Sequence, residues 1–347
     1  MTESMEAGQP ATWEELALLE KDFDEVDTEV LRHQNVLQAP LYKKRSEILS
    51  RTPEFWPTAF QSAPPEVESY VQMSDIDLIG HIVNLDVTRF EIPPHSDAPG
   101  GNPRSLSFRF EFRENEYIED KVLEKKFWFR RTKDFLHAGL VSEPVKITWK
   151  KGKDLTEGLT DAAVAAWEAE KKSAQSTTNG ANGDKKKTPL PEQQALAERM
   201  RTVSDSSVSF FAWFAFRGRH VSAEESAAAN KKDAANRELI RQGKEAPKVD
   251  DAEYPDPDEI NLHEDMEVFP DGEELAIALS DDLWANALKF YTETYDESGD
   301  ESGFEEDLDS DEIFDLEKLL TGGKDNDDEG SDNDDDAAPA KKRRRES

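Results

Sequence analysis

The 347-residue sequence contains no cysteine. Disulfide bonds and thiolate metal sites are therefore excluded, and an intracellular protein is expected. No apolar run approaches the roughly 18 residues that a membrane-spanning helix needs. The first ten residues also lack the basic and apolar regions of a signal peptide. Neither a membrane protein nor a secreted one is expected.

The sequence also lacks the short motifs that support common enzyme chemistry. Its six histidines are scattered and show no HExxH or other paired-ligand spacing. It has neither the GxxxxGK[ST] nor the GxGxxG glycine pattern that binds phosphate groups, and no GxSxG nucleophile turn. We therefore expect no enzyme activity, no catalytic residue, no bound metal and no cofactor.

Positive charge is scarce, with 43 basic residues against 77 acidic ones and a net charge of −34. Residues 296–336 hold 20 acids and 2 bases, whereas residues 337–347 sum to +4, which leaves −20 for residues 1–295. Such a chain repels nucleic acid and attracts basic partners over a Debye length or more. Direct nucleic-acid binding is therefore not expected.

Residues 12–52 are predicted to form one long helix, about 60 Å in length at about 1.5 Å per residue. Thr12 and Glu15 match a capping box, Pro40 falls inside the helix, and Pro53 ends it. Its apolar positions follow a heptad seam that only His33 interrupts, comprising Leu16, Leu19, Phe23, Val26, Val30 and Leu37. This single stripe either packs on the helix's own domain or pairs, antiparallel or parallel, with a second copy.

Residues 53–295 are predicted to form one α+β domain. Short helices punctuated by prolines occupy 53–85. An antiparallel meander of four strands follows, at Val87–Ile92, Leu106–Phe112, Val122–Arg130 and Val145–Trp149. Flexible inserts are predicted at about 157–207 and 218–262, although the first half of the second insert also has the composition of a helix. One amphipathic helix is predicted at Glu273–Tyr291.

The two ends of the chain, 1–11 and 296–347, are predicted to be disordered. The acidic tail contains spaced apolar residues, so it is either a solvated appendage or a segment that folds on a basic partner. It ends in five consecutive cations, Lys341, Lys342, Arg343, Arg344 and Arg345. This cluster either balances the neighbouring acids or binds a nuclear import receptor.

Five blocks of sequence resemble the SET branch of the nucleosome assembly protein family, and they occur in that family's order. The blocks are LYKKRSEILSRTPEFWPTAF, ENEYIEDKVLEKKFWFR, ITWKKGKDLT, SFFAWFAF and DDLWANALKFY. The resemblance covers most of 12–156, then 208–217 and 273–295. The two inserts are longer than this branch leads us to expect.

The resemblance implies a histone chaperone that is a homodimer and not an enzyme, nuclear with shuttling to the cytoplasm. The long helix would pair antiparallel with its twin, and each copy would add an "earmuff" domain with a four-stranded antiparallel sheet. The acidic underside of the earmuffs would receive core histones and assist nucleosome assembly and disassembly without ATP. The alternative is a regulatory protein that inhibits a phosphatase or assists a histone acetyltransferase.

On this resemblance, the acids in and beside the last helix are the expected histone-binding residues: Glu264, Asp265, Glu267, Glu273, Glu274, Asp281 and Asp282. Two apolar tail residues, Phe304 and Phe314, are predicted to anchor histones as well.

Overall fold

The computed structural model describes residues 12–92, 101–135, 137–177, 189–203, 208–244 and 266–298. The first element is a helix of 37 residues, α1 (Trp13–Leu49), with Pro40 inside it. The predicted capping box is present, because the Thr12 side chain accepts from the Glu15 amide while Glu15 accepts from the Thr12 amide. Within the described residues no helix is both long and apolar enough to cross a membrane.

The remaining elements form the domain that follows α1. Three short helices lead into the sheet: α2 (Phe55–Gln61), α3 (Pro65–Glu68) and α4 (Ile76–Ile79). The strands are β1 (Ile82–Thr88), β2 (Leu106–Phe112), β3 (Val122–Arg131) and β4 (Ala138–Ser142). After the sheet come α5 (Leu159–Thr177), α6 (Pro191–Thr202), a 3₁₀ helix (Phe210–Ala215), α7 (Ala223–Arg241), α8 (Gly272–Ile277), a π-helix (Ala278–Trp284) and α9 (Ala287–Ser298).

The sheet is an antiparallel meander in the order β1-β2-β3-β4, with Phe110 paired to Leu85 on one side and to Leu123 on the other. One face is covered by the apolar 3₁₀ helix, whose Trp213 is fully buried. The Trp213 ring lies 5.2 Å from that of Phe127, and its Nε1 donates to a backbone carbonyl at 2.9 Å. The predicted α+β class, long N-terminal helix and four-stranded antiparallel sheet are confirmed.

A buried carboxylate fixes the 3₁₀ helix to the rest of the core. Asp75 is fully buried and accepts from the Ser209 hydroxyl at 2.6 Å and from the amides of Phe210 and Gln72. Burial raises the pKa of Asp75, and these hydrogen bonds oppose the rise. The apolar segment is therefore held in place by a fully hydrogen-bonded polar contact.

The core also contains a cation, Lys125, on the same face of β3 as Leu123 and Phe127. Its Nζ donates to three backbone carbonyls, those of Glu143, Phe214 and Phe216, at 2.9–3.1 Å. Burial lowers the pKa of Lys125 to about 7. Because its acceptors belong to the loop after β4 and to the 3₁₀ segment, Lys125 joins the sheet to the layer that covers it.

Two predicted strands are misplaced. β1 covers Ile82–Thr88 where Val87–Ile92 was predicted, and β4 covers Ala138–Ser142 where Val145–Trp149 was predicted. Trp149 forms only an isolated bridge with Ile118. The Val145 amide donates to the carbonyl of Phe214, so this segment pairs with the buried 3₁₀ helix and not with the sheet.

The prediction of a flexible insert at about 157–207 is wrong for the parts that the structure describes. Helices α5 and α6 lie within 157–207 and bury Ala163, Ala166 and Leu196 in the core. Helix α7 lies in the first half of 218–262, where the sequence left a helix open, and it packs on α1 and β3. The predicted helix Glu273–Tyr291 is instead divided into α8, the π-helix and α9. The π-helix buries Leu283 and lets the Trp284 indole donate to the Leu85 carbonyl at 3.1 Å.

Candidate functional site

The apolar stripe of α1 is exposed to solvent along its whole length. The exposed fractions of its six seam residues run from 48% for Leu16 to 64% for Phe23. None of the six belongs to the hydrophobic core of the domain. A contiguous apolar face of this kind typically marks an interaction surface.

The opposite side of α1 is attached to its own domain by polar contacts. The Lys21 ammonium pairs with Asp233 of α7, and the Arg32 guanidinium donates to the Gly101 carbonyl. Further contacts join Arg104 to Asp24 and Thr28, and Arg237 to Glu25. At about 100° per residue, these α1 positions lie at least 120° from the seam. The apolar stripe therefore points away from the domain, which contradicts the alternative that it packs there.

Five acids from α3 and the C-terminal helices form what we call the acidic patch: Glu66, Asp271, Glu274, Asp281 and Asp282. All five side chains are exposed. Partial burial raises the pKa of Asp282, and the negative charges of Glu66 and Asp281 raise it further. The pKa of Tyr70 is raised by burial and by the charges of Asp271 and Glu274. Glu66 and Asp281 thus lie close to Asp282, and Asp271 and Glu274 lie close to Tyr70. Because α3 contacts both the π-helix and α8, the two sets lie beside the same short helix.

Three of the predicted histone-binding acids lie in the acidic patch, namely Glu274, Asp281 and Asp282. Asp281 also pairs with Arg89 at 2.9 Å, which ties the π-helix to the residue after β1. Glu273 and Glu267 are not on this surface, because both carboxylates hold the backbone of other segments. Glu273 is half-buried and accepts from the Leu140 amide of β4 at 2.8 Å.

Glu267 has a structural position that corrects its predicted role. Its carboxylate accepts from the amides of Arg217 and Gly218, at 3.1 and 2.8 Å, and from that of Phe269 at 3.3 Å. Burial raises its pKa, while these hydrogen bonds and the charge of Lys125 oppose the rise. A carboxylate occupied in this way is not free to bind a histone.

The remaining predicted site residues lie outside the described residues. These are Glu264 and Asp265, the tail anchors Phe304 and Phe314, and the basic cluster Lys341, Lys342, Arg343, Arg344 and Arg345. Their roles stay predictions.

A cleft of about 650 Å³ separates α1 from β1 and the π-helix. Its α1 wall includes Gln34, Gln38 and Tyr42, and its far wall includes Asp86 and Trp284. At one end, the Arg45 guanidinium lies 4.7 Å from the Tyr42 ring centre and 4.5 Å from that of Trp284, and it donates to the Trp284 carbonyl. Burial lowers the pKa of Arg45 to about 10.

Sequence reasoning missed both Glu66 and Asp271 as members of the acidic patch. Glu66 lies more than 200 residues from the C-terminal helices, and no local pattern could place it beside Asp282. The cleft was missed for the same reason. Lys125, by contrast, could have been found, because strand alternation places it between Leu123 and Phe127 on the buried face.

Part of the chain is similar in sequence to known proteins. The chain is 33% identical to Protein SET of Drosophila melanogaster over 146 residues, which cover 41% of this chain and 49% of that protein. It is 35% identical to NAP1-related protein 2 of Arabidopsis thaliana over 143 residues, 40% of this chain and 49% of that protein. The chain thus spans about half the length of these curated relatives.

Solved structures of Ccp1 and of the Vps75 histone chaperone are also similar. Ccp1 gives a TM-score of 0.46 and 23% identity over 82% of this chain and 95% of its own. The Vps75 histone chaperone gives a TM-score of 0.45 and 19% identity over 81% of this chain and 96% of its own. The family model described as nucleosome assembly protein (NAP) matches residues 50–294. Because this match spans well over half of the sequence, the chain belongs to the nucleosome assembly protein family.

Proposed function

We propose that this protein is a histone chaperone that works as a homodimer and assists nucleosome assembly and disassembly without ATP. The observation that carries the proposal is the acidic patch on a domain of the nucleosome assembly protein family. Core histones are the proposed partners.

The acidic patch suits a basic partner because its charges are held on packed helices. Leu275, Leu279 and Leu283 are fully buried beneath it, so Glu274, Asp281 and Asp282 project from a fixed scaffold. Fixed charges guide a basic partner into one orientation, whereas the highly acidic sequence after residue 296 adds long-range attraction. Histones bind DNA phosphates indiscriminately, so an acidic competitor that releases them would prevent misassembly without chemical energy.

The homodimer is proposed to form through the exposed stripe of α1. Six apolar side chains in a heptad repeat have no partner in their own domain, and pairing two such stripes removes both from water. Nuclear location is proposed from the family and from the basic cluster Lys341–Arg345, which an import receptor would bind.

A supercoiling assay tests the proposed function. Purified protein, core histones, relaxed circular DNA and topoisomerase are mixed without ATP, and the superhelical turns introduced into the DNA are counted. We expect turns that increase with chaperone concentration to an optimum. Free histones at the same concentration serve as the control. No gain over that control would contradict the proposal.

A further inference from the structure

Charge is divided unequally along α1. Residues 12–30 carry eight acids and one base, whereas residues 31–49 carry four bases and one acid. A parallel pair would place the two acidic halves side by side. An antiparallel pair places the acidic half of one copy against the basic half of the other, which is favourable.

The seam residues select a register for this antiparallel pair. If Leu19 lies beside the partner's Leu37, then Val26 lies beside the partner's Val30. Phe23 then lies beside the partner's His33, the one interrupted seam position. Every seam position from Leu19 to Leu37 thus meets another seam position.

In this register Trp13 lies level with residues 41–43 of the second copy. Trp13 is 85% exposed, although it belongs to the capped first turn of α1. It lies roughly 100° around the helix from the seam, on the side that carries Gln38 and Tyr42. A two-fold axis relates the two antiparallel helices. The flank of one helix that carries Trp13 therefore lies on the same side of the pair as the flank of the other helix that carries Gln38 and Tyr42.

We propose that Trp13 of a second copy seats at the mouth of the cleft, against Gln38, Leu41 and Tyr42. Leu41 is 50% exposed beside the cleft, and Gln38 and Tyr42 line it. The indole would bury a large apolar area there and add a ring to the stack of Tyr42, Arg45 and Trp284. Each cleft is then completed by the other copy. This inference rests on the homodimer proposed above.

Because the chain has no cysteine, introduced cysteines can map this contact. The variant Trp13→Cys/Leu41→Cys is treated with a short bismaleimide and run on a denaturing gel. The two positions are about 42 Å apart on one helix at about 1.5 Å per residue, so only two copies can be linked. The control Leu19→Cys/Leu37→Cys reports the seam register, with its positions about 27 Å apart on one helix.

We expect both variants to give cross-linked dimers. Cross-linking of the seam control alone would overturn the seating of Trp13 and leave the homodimer standing. No cross-linking in either variant would overturn both.

Dimer affinity gives a second readout. We expect Trp13→Ala to raise the dimer dissociation constant on the order of 10- to 100-fold, as an interface tryptophan typically does. Alanine is a better helix former than tryptophan, so loss of helix would not explain a weaker dimer. Met73→Ala, which changes an equally exposed residue outside α1, should leave the constant unchanged. An unchanged constant for Trp13→Ala would overturn the seating.

Discussion

The Lys21 ammonium of α1 lies 2.6 Å from the Asp233 carboxylate of α7. Asp233 is nearly buried and also pairs with Arg131 of β3 at 3.0 Å and with Arg237 of its own helix at 3.3 Å. One carboxylate therefore joins α1, α7 and the sheet. This contact fixes the side of α1 opposite the seam, so the apolar stripe is presented outward by a rigid support.

Replacing this carboxylate should loosen α7 without affecting the sheet. Asp233→Ala removes the anion that Lys21, Arg131 and Arg237 share, whereas Arg237 keeps its pair with Glu25. We expect the free energy of unfolding to fall by roughly 2–4 kcal/mol. Hydrogen–deuterium exchange should then rise in Ala223–Arg241 and stay unchanged in β2. Glu238→Ala, which removes an acid from the same helix, is the matched control. Equal exchange in both variants would show that Asp233 does not hold α7.

The seam prediction concerns two residues near the middle of the exposed stripe. Phe23→Glu/Val30→Glu places charges in an apolar interface at a cost of about several kcal/mol each, so sedimentation should show a monomer. Ala17→Glu changes an exposed residue on another side of α1 and should leave a dimer. A dimer mass for the double variant would show that α1 does not form the dimer interface.

Lys125 predicts a pH dependence of stability. Its pKa is about 7 in the folded protein against 10.5 for an ordinary lysine, so above pH 7 the unfolded chain binds the proton that the folded protein has lost. The free energy of unfolding should therefore rise with pH between about 7 and 10.5, by about 1.4 kcal/mol per pH unit at most.

Urea unfolding of the protein and of Lys125→Met at pH 6 and pH 9 measures this dependence. The variant should be less stable at both pH values, because three carbonyls lose their donor. The deficit should be larger at pH 9, by roughly 2.5–3 kcal/mol. A deficit that is equal at the two values would mean that Lys125 stays charged throughout.

The import prediction concerns the basic cluster. Changing all five residues of Lys341–Arg345 to alanine should leave a fluorescently tagged protein largely cytoplasmic, because the proposed dimer of two 39.2 kDa chains would depend on a receptor to enter the nucleus efficiently. The control changes Lys185, Lys186 and Lys187 to alanine, and it tests whether another basic run also directs nuclear import. Normal nuclear accumulation of the first variant would leave only charge balance as its role.

Local patterns in the sequence were sufficient for the elements whose stability is local. The capping box at Thr12 and the heptad spacing of α1 are read within a few residues, and strand alternation set the bounds of β2 correctly. Local patterns failed where a contact with a distant segment determines the secondary structure. The Val145 amide bonds to Phe214, about 70 residues away, and this contact removes its strand from the sheet.

The candidate site shows the same division. Acids in and beside the last helix were predicted from their charge and from the family resemblance. Neither could separate Asp282, which faces solvent, from Glu267, which accepts from three backbone amides. Glu267 differs from Asp282 because the loop before α8 packs against the end of the 3₁₀ helix. The pattern of residues in the sequence does not predict that contact.

The acidic patch carries the central claim, and histone affinity measured at several salt concentrations tests it most directly. Glu66→Lys/Glu274→Lys/Asp282→Lys should weaken binding of core histones by at least about tenfold and abolish supercoiling, while loose, salt-sensitive association through the acidic tail persists.

Deleting 296–336 removes a charge of −18 and should lower the salt dependence but retain specific binding. Phe304→Ser/Phe314→Ser should weaken binding with little change in salt dependence.

The matched control is Glu192→Lys/Glu198→Lys/Glu224→Lys, which makes the same change in net charge on exposed residues of α6 and α7. The account predicts near-normal affinity for this variant and a large loss for the patch variant. Equal affinities for the two, together with complete loss of binding on tail deletion, would contradict it and show that the acidic patch is not the histone site.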